Sequence, residues 1–359
     1  MAPNRRGAKP QEDNDATAAP TQPLCRLVPP PGPHDYASSV ITKEEVEARG
    51  SGTREGKDTY DASRPLRSEL RVFFTGLMFL TRLPVPAWVD HHPAYLMRSM
   101  MWFPLIGAAV GAWGAAWHGA AALLWPSPPM LAAALSTLST VWLTGCFHED
   151  GLADSLDGFG GGWGREQILR IMKDSRVGTY ALVGMALALQ AKLAVLGTLG
   201  PAHAAPALIA AHAACRWTAL PLTYACTYLQ DAEDAKRGLY NWFAASRRLL
   251  TPPRLAFATA STAALLLAVL PAAQATAVAV TVLLATLLSG YYGNLVIGGV
   301  VGDYLGATIA VTELVIYLVL AADWPAAAAR WQPLAVLAAA AAVPVLYARR
   351  VIAAGGASC

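Results

Sequence analysis

Three aspartates in the segment FHEDGLADSLDGF, residues 147–159, have the spacing of one helical face. Asp150, Asp154 and Asp157 stand at positions i, i+4 and i+7, so on an α-helix their side chains fall within about 60° of one another. Carboxylates this close repel one another unless a cation lies between them, and oxygen ligands suit Mg²⁺ or Mn²⁺. Gly151 and Gly158 are expected to leave room for a ligand to approach the backbone. The pattern predicts a divalent metal site; the alternative is a solvated acidic cap on a membrane helix.

A basic segment, REQILRIMKDSRVG, follows at residues 165–178. Its apolar and charged residues fall on different helical faces, which predicts an amphipathic helix at the membrane interface. Lys173 and Arg176 have two interpretations. They meet anionic lipid headgroups, or, beside a metal held by the aspartates, they bind the phosphates of a diphosphate substrate.

A third segment, GGVVGDYLGATIAVTELV, residues 298–315, carries acids within an apolar run. Asp303 stands where the run enters the membrane, and Glu313 lies two to three helical turns further along. A carboxylate at that depth usually faces a polar cavity or a partner. Arg216, central in its own apolar run, is the candidate partner, so Glu313 either fixes helix packing through that pair or takes part in the chemistry. Lys192, near the far end of its run, is expected to extend its ammonium to the membrane surface.

The elements that must position these residues are membrane helices. The chain of 359 residues is 55% hydrophobic and only 14% charged, with a mean hydropathy of +0.38, which is unlike a soluble domain of this size. We therefore predict an all-α fold, a polytopic integral membrane helical bundle. The net charge of +3 and the lack of a basic array give no argument for a nucleic-acid partner. The five cysteines show no metal-binding spacing.

About 7–8 transmembrane helices are expected, because several apolar runs reach the roughly 20 residues that cross a bilayer. Gly, Pro or charged residues separate the runs, which cover residues 99–124, 129–147, 177–199, 205–229, 255–270, 273–297, 304–322 and 333–348. The stretch VFFTGLMFLTRL, residues 72–83, is too short to cross and ends at prolines. It predicts a short re-entrant or interfacial N-terminal helix.

The loops between the apolar runs differ in their content of charged residues, and this difference distinguishes the two sides of the membrane. Connections near residues 126, 200 and 271 carry no charged residue, whereas residues 148–176 and 230–248 carry many. By the positive-inside rule the charged side is cytoplasmic. All three candidate site segments begin or lie on that side.

The domain organisation follows from composition. Residues 1–66 are rich in Pro, Gly and charged residues without apolar periodicity, which predicts a disordered extension. A membrane domain is expected over residues 67–350, followed by a tail over residues 351–359.

Five segments in order resemble the signature segments of one family, the cobalamin synthases (cobalamin 5'-phosphate synthase or adenosylcobinamide-GDP ribazoletransferase). The resemblance runs from about residue 70 to about residue 320, over FLTRLPVP, FPLIGAAVGA, GCFHEDGLADSLDGF, RIMKDSRVGTYA and GDYLGATIAVTELV. It implies a Mg²⁺-dependent membrane transferase, with Mn²⁺ as a substitute. Such an enzyme joins adenosylcobinamide-GDP to α-ribazole or its 5'-phosphate, releases GMP, and works at the cytoplasmic face of a prokaryotic inner membrane, or in an organelle membrane of a eukaryote.

The resemblance also implies residue roles. Catalytic roles fall on Asp150, Asp154, Asp157, Lys173, Asp174, Arg176 and Asp303, with the first three as metal ligands. Substrate contacts fall on Arg82, Ser175, Arg216, Glu313, Gly151 and Gly158. Asp174 and Asp303 are alternative candidates for the group that positions the acceptor or takes its proton. Glu149 occupies a place that is usually apolar in the family, and it is left out of the predicted site.

Two other interpretations compete with this one. A CDP-alcohol phosphatidyltransferase or a prenyltransferase also places clustered aspartates and Mg²⁺ on a diphosphate, but Asp154 interrupts the motif of the former. A membrane transporter would use Glu313, Arg216 and Lys192 along a path through the bilayer. It would be expected to show related halves, and no clear internal repeat is present. Oligomeric state, and the choice between α-ribazole and its phosphate, stay open.

Overall fold

The computed structural model describes residues 60–89, 93–229 and 249–324. Its helices are α1 (Pro65–Leu80), α2 (Pro93–Ser99), a 3₁₀ turn (Met100–Trp102), α3 (Phe103–Leu124), α4 (Pro129–Thr144), α5 (Phe147–Gly161), α6 (Arg165–Met172), α7 (Thr179–Thr198), α8 (Pro201–Trp217), α9 (Ala219–Ala225), α10 (Pro252–Val269), α11 (Ala272–Val296) and α12 (Gly302–Ala321). The described residues contain no β-strand beyond an isolated bridge between Tyr228 and Val300. The prediction of an all-α membrane protein is confirmed.

Fewer helices than predicted have the length and composition of a membrane span. Within the described ranges five qualify: Ala94–Leu124, which joins α2 to α3, and α7, α10, α11 and α12. Helices α4 and α5 together would make a sixth span, but the pair is bent by 90° between them, as in a broken span or a re-entrant loop. The expected number of 7–8 was therefore too high for this part of the chain. The run over residues 205–229 breaks at Thr218, which leaves α8 with 17 residues, and the run over residues 333–348 lies outside the described residues.

Prolines and glycines set the helix ends. Proline stands in the first turn of α1, α3, α4, α8 and α10, where its missing N–H costs no helical hydrogen bond. At the other end of α4, Gly145 adopts φ 68° and the following Cys146 adopts φ 60°. Two successive residues in the left-handed region end α4 and redirect the chain. This turn produces the bend from which α5, the helix with the aspartates, begins.

The centre of the bundle is built from α3 and α8. An added Cβ at Gly107 would lie 2.1 Å from the carbonyl oxygen of His212, and one at Gly111 would lie 2.4 Å from that of Leu208. The two backbones are therefore in direct contact, as in membrane helices that pack through small residues. This contact holds the end of α8, with His212 and Arg216, deep inside the protein.

The predicted N-terminal helix is present and begins earlier than expected. Helix α1 buries Ser68, Val72, Thr75, Gly76 and Leu80 along one face, as an amphipathic helix does. A guanidinium N–H of Arg254 on α10 donates to Oε2 of Glu69 at 3.1 Å, which ties α1 to the bundle. Its interfacial placement stays a prediction, and the extension up to residue 59, residues 230–248 and the C-terminal tail lie outside the described residues.

Candidate active site

Close contact between α5 and α12 brings the acidic residues together. An added Cβ at Gly151 would lie 2.6 Å from the carbonyl oxygen of Asp303, the second residue of α12. Asp154 is half-buried, and the charges of Asp303, Asp150 and Asp157 all act on its carboxylate. Such crowding of like charges is favourable only when a cation or proton compensates it. The predicted shared face therefore exists, and Asp303 joins it.

The two glycines of this helix do not leave the predicted open space. Gly151 faces the backbone of α12, and Gly158 faces α6, where an added Cβ would lie 2.6 Å from the side chain of Met172. Protein atoms fill both positions, because α5 is packed between neighbouring helices. The glycines serve close helix packing here, which corrects the expectation of ligand space.

Asp157 is engaged differently from the other two aspartates. Its Oδ2 accepts a hydrogen bond from the backbone N–H of Gly178 at 2.6 Å, and its Oδ1 accepts one from Ala181 at 2.9 Å. Gly178 directly precedes α7 and Ala181 lies in its first turn, so the carboxylate caps the N-terminus of that helix. Within the described residues no three His, Cys, Asp or Glu side chains are arranged to hold a metal ion. Asp150 and Asp154 project from the same helix, α5, and take no part in these two hydrogen bonds.

The basic loop after α6 is exposed. Helix α6 buries Ile168 and Met172, and Lys173, Ser175 and Arg176 follow with exposed side chains. The guanidinium of Arg176 donates from Nε and Nη2 to the carboxylate of Asp174, at 2.9 and 2.5 Å. These hydrogen bonds lower the pKa of Asp174 to about 2. Asp174 is therefore ionised at neutral pH, and Arg176 is held by it in this conformation.

Arg82 lies against the bend that starts α5. Its backbone N–H donates to the carbonyl of Leu143 at 2.8 Å, and an added Cβ at Gly145 would lie 2.4 Å from its Nε. Its side chain is exposed. The structure thus places this predicted substrate contact beside the turn that aims the acidic helix.

Glu313 is paired with Lys192 rather than with Arg216. Oε1 of Glu313 lies 2.7 Å from the ammonium of Lys192 and accepts a hydrogen bond from the hydroxyl of Tyr317 at 2.9 Å. Arg216 instead donates to the carbonyl oxygen of His212 at 2.8 Å. The expectation that Lys192 reaches the membrane surface is wrong, since the residue is only 8% exposed. Lys192 lies on α7, which packs against α12, and the carboxylate of Glu313 on α12 is its partner of opposite charge.

Sequence reasoning missed part of this inner group. His148, His212 and Tyr317 are buried beside the predicted Glu313 and Arg216. A charge inside an apolar run marked Lys192 as unusual, but nothing local indicated which helix would face it. The histidines have no ligand spacing in the sequence, so only the packing brings them together.

Comparisons with known proteins match the membrane region of this chain to one family. The family model described as cobalamin-5-phosphate synthase matches residues 72–321. Similar proteins named adenosylcobinamide-GDP ribazoletransferase include one from Leptothrix cholodnii, 46% identical over 171 residues, which are 47% of this chain and 64% of the relative. One from Polaromonas naphthalenivorans is 43% identical over 177 residues, 47% of this chain and 62% of the relative. One from Ralstonia nicotianae is 38% identical over 267 residues, 72% of this chain and 97% of the relative.

The first two alignments thus cover slightly less than two thirds of the relatives' own lengths. The third covers nearly the whole relative. No solved structure is significantly similar to this chain.

Proposed function

The chain belongs to the cobalamin-5-phosphate synthase family, and from this membership we propose that it is an adenosylcobinamide-GDP ribazoletransferase. It transfers the adenosylcobinamide phosphate group from adenosylcobinamide-GDP to α-ribazole or α-ribazole 5'-phosphate, and it releases GMP. The observation that carries the proposal is the family match over residues 72–321, which includes the acidic helix, the basic loop and Asp303. The same match leaves the phosphatidyltransferase, prenyltransferase and transporter interpretations without support.

The reaction is a phosphoryl transfer with a defined balance of bonds. A ribose hydroxyl oxygen forms a bond to the phosphorus on the cobinamide side, and the bond from that phosphorus to the bridging oxygen of the diphosphate breaks. GMP takes the bridging oxygen, and the hydroxyl proton passes to a base. An acceptor phosphorylated at its 5' position has no free 5' hydroxyl, so a nucleophile common to both acceptors is a secondary ribose hydroxyl.

The acidic face fits a divalent ion by its chemistry. Asp150 and Asp154 on α5, with Asp303 beside them, supply oxygen donors whose mutual repulsion a cation would relieve. We propose that Asp150 and Asp154 would hold Mg²⁺, or Mn²⁺ in its place, and that Asp157 supports them by fixing α5 to α7. When bound, the ion would neutralise charge on the diphosphate.

The basic loop is suited to hold the leaving group. Lys173 and Arg176 are exposed next to the acidic helix, and a guanidinium binds phosphate oxygens in a forked geometry. Arg176 would exchange Asp174 for a substrate phosphate, since the surface pair is weak enough to be replaced. Ser175 lies between them and would add a hydroxyl donor.

Asp303 is the better candidate for the base. Asp174 has a pKa of about 2 because Arg176 binds its ionised form, so it accepts a proton poorly near neutral pH. Asp303 stands at the contact between α5 and α12, beside Asp154. We propose that Asp303 orients the attacking hydroxyl and takes its proton. Arg82, beside the bend into α5, would contact the substrate from the other end of the acidic helix.

We also propose that the site faces the cytoplasm of a prokaryotic cell. The charged connections collect on the side of the acidic helix and basic loop, as the positive-inside rule requires of the cytoplasmic side. The large corrinoid would rest against the bilayer surface while GMP leaves into water.

The test uses the full chain, purified in detergent or placed in liposomes, with adenosylcobinamide-GDP, Mg²⁺ and either acceptor. GMP and the corrinoid product should form in equal amounts, EDTA should abolish both, and added Mg²⁺ or Mn²⁺ should restore them. Asp154→Asn is the matched inactive control. Lack of GMP release with both acceptors, while a ribazoletransferase from the family works in parallel, would refute the proposed activity.

A further inference from the structure

The turn between α4 and α5 holds the chain in an unusual backbone conformation. Gly145 and Cys146, which we call the elbow, both adopt positive φ, 68° and 60°. A residue with a Cβ, such as Cys146, rarely occupies this left-handed region unless the surrounding structure imposes it. The N–H of Gly145 donates to the carbonyl of Trp142 at 3.2 Å, and that of Cys146 to the carbonyl of Val141 at 3.0 Å. The elbow therefore closes the end of α4 as a Schellman motif does.

The elbow also starts the acidic helix. The carbonyl oxygen of Cys146 accepts a hydrogen bond from the backbone N–H of Asp150 at 2.8 Å, as the residue before a helix does. Phe147 is the first residue of α5. With a rise of about 1.5 Å per residue, Asp150 stands about 5 Å and Asp154 about 10 Å further along the helix axis. The direction in which the chain leaves the elbow therefore determines where both carboxylates lie.

The C-terminal end of α1 contacts the elbow on both sides. The backbone N–H of Arg82 donates to the carbonyl of Leu143 at 2.8 Å, one of the last carbonyls of α4, which need partners outside the helix. The guanidinium of Arg82 lies against Gly145, where an added Cβ would be 2.4 Å from its Nε. On the other side, the ring of Phe79 meets the ring of Phe147 edge to face, with 4.8 Å between centroids and 75° between planes.

The contact between these two rings orients α5 more than it adds to the hydrophobic core. Phe79 is 36% exposed and Phe147 is 41% exposed, so neither ring is buried. Phe79 also stacks on Phe103, the first residue of α3, with centroids 5.9 Å apart and planes at 16°. Since α3 belongs to the centre of the bundle, Phe79 connects the start of α5 to a fixed helix. Aromatic pairs prefer defined relative orientations, so the pair restrains direction as well as distance.

We propose that Phe79 is a positioning residue of the acidic site: its ring contact with Phe147 fixes the direction in which α5 leaves the elbow. The far end of α5 is held separately, because Asp157 caps α7. Loss of the Phe79 contact should therefore displace Asp150, near the elbow, more than Asp157. A misplacement of about 1 Å can reduce an enzymatic rate by about a hundredfold. The inference rests on the proposed function only for its kinetic measurement.

The informative replacement keeps an apolar side chain and removes the ring. Phe79→Leu still packs against Phe103 but offers no ring to Phe147, whereas Phe79→Tyr keeps the ring and is the conservative variant. Phe74→Leu is the matched control. Phe74 lies on the same helix and makes an edge-to-face contact of the same kind with Trp88, 5.6 Å between centroids, which does not involve α5. Arg82 is unsuited to the test because it is also a proposed substrate contact.

Three quantities are measured on the full chain in detergent: the Tm, amide hydrogen exchange over residues 147–161, and kcat separately from KM. In Phe79→Leu the amides of residues 150–153 should exchange faster, while those of residues 158–161 stay as in the wild type. We expect kcat to fall about tenfold or more with little change in KM. Phe79→Tyr and Phe74→Leu should match the wild type in exchange and in kcat, whatever their Tm.

Phe147→Leu removes the other ring of the pair and is the second variant. If Phe79 acts through Phe147, each single replacement lowers kcat to the same extent, and the double variant lowers it no further. Because Phe147 is 41% exposed, its replacement should leave the protein folded. This variant therefore tests the contact even if Phe79→Leu does not fold.

Wild-type exchange at residues 150–153 together with wild-type kcat, in Phe79→Leu or in Phe147→Leu, would overturn the inference. Reductions in kcat that multiply in the double variant would overturn it as well, because Phe79 would then act independently of Phe147. If the wild type itself releases no GMP, the proposed function fails, while hydrogen exchange still tests whether Phe79 holds the start of α5.

Discussion

Asp157 on α5 accepts a 2.6 Å hydrogen bond from the backbone N–H of Gly178, the residue that precedes α7. The bond joins two segments separated by 21 residues and places a carboxylate at a helix N-terminus, where the exposed N–H groups favour negative charge. The three aspartates of one helical face therefore differ in their contacts. Asp157 fixes α5 to the start of α7, whereas Asp150 and Asp154 are the two that we propose to hold the metal ion.

Replacement of Asp157 by alanine should lower stability as well as activity. Asp157→Ala removes both capping bonds at the start of α7, and loss of such a cap costs about 1 kcal/mol of unfolding free energy. Asp150→Ala is the matched control, because Asp150 is exposed on the same helix; it should reduce turnover without lowering the Tm. Equal Tm values for the two variants would argue against a capping role of Asp157.

Asp154→Asn should leave the protein folded and remove most of its turnover. The substitution keeps the shape of the side chain and removes one charge from a group where Asp303, Asp150 and Asp157 all repel it. Less repulsion means that the Tm should stay the same or rise. GMP release and thermal unfolding of the purified variant test both statements, and a wild-type rate would contradict the assignment of Asp154.

Gly151→Ala should separate α5 from α12. The added Cβ would lie 2.6 Å from the backbone oxygen of Asp303, which is too close, so one helix must shift at a cost of about 1–3 kcal/mol. Turnover should fall by about tenfold or more, because Asp303 moves relative to Asp154. Gly119→Ala on α3 is the control, since nothing lies within 4 Å of its added Cβ. An unaffected Gly151→Ala variant would refute the close contact.

Asp174 should not contribute to the pH dependence of turnover between about pH 5 and pH 8. Its carboxylate has a pKa lowered from 3.8 to about 2 by Arg176. A lowered folded-state pKa means that the pairing is fully present above the ordinary value and is lost only as the pH falls through about 2. The pH–rate profile of Asp174→Asn should therefore keep the wild-type shape, even if the rate is lower. Disappearance of an ionisation in this variant would identify Asp174 as the base instead.

Local sequence patterns were sufficient to predict the helical class of the fold and the helix face that the three aspartates share. Residues at positions i, i+4 and i+7 share a face on any α-helix, so the common face of Asp150, Asp154 and Asp157 could be predicted from the sequence alone. The apolar runs gave the correct class of fold because a bilayer requires long apolar helices. Within the described part of the chain the number of spans was overestimated, because hydropathy does not reveal the break at Thr218 that shortens α8.

Partners from distant segments could not be predicted in the same way. Arg216 and Lys192 are both cations inside apolar runs, and the sequence favoured Arg216 as the partner of Glu313, whereas the structure pairs Glu313 with Lys192 at 2.7 Å. Likewise Gly151 was expected to face a ligand and instead faces Asp303.

The sequence alone thus determined the membrane class, the family resemblance and the residues that share a face, because these depend on composition and on positions a few residues apart. Only the tertiary structure decided that α5 lies against α12, that Asp157 caps α7 and that Lys192 faces Glu313. The physical reason is that helix contacts depend on how small residues let backbones approach and on how buried charges find partners, and both are set by the packing of the whole bundle.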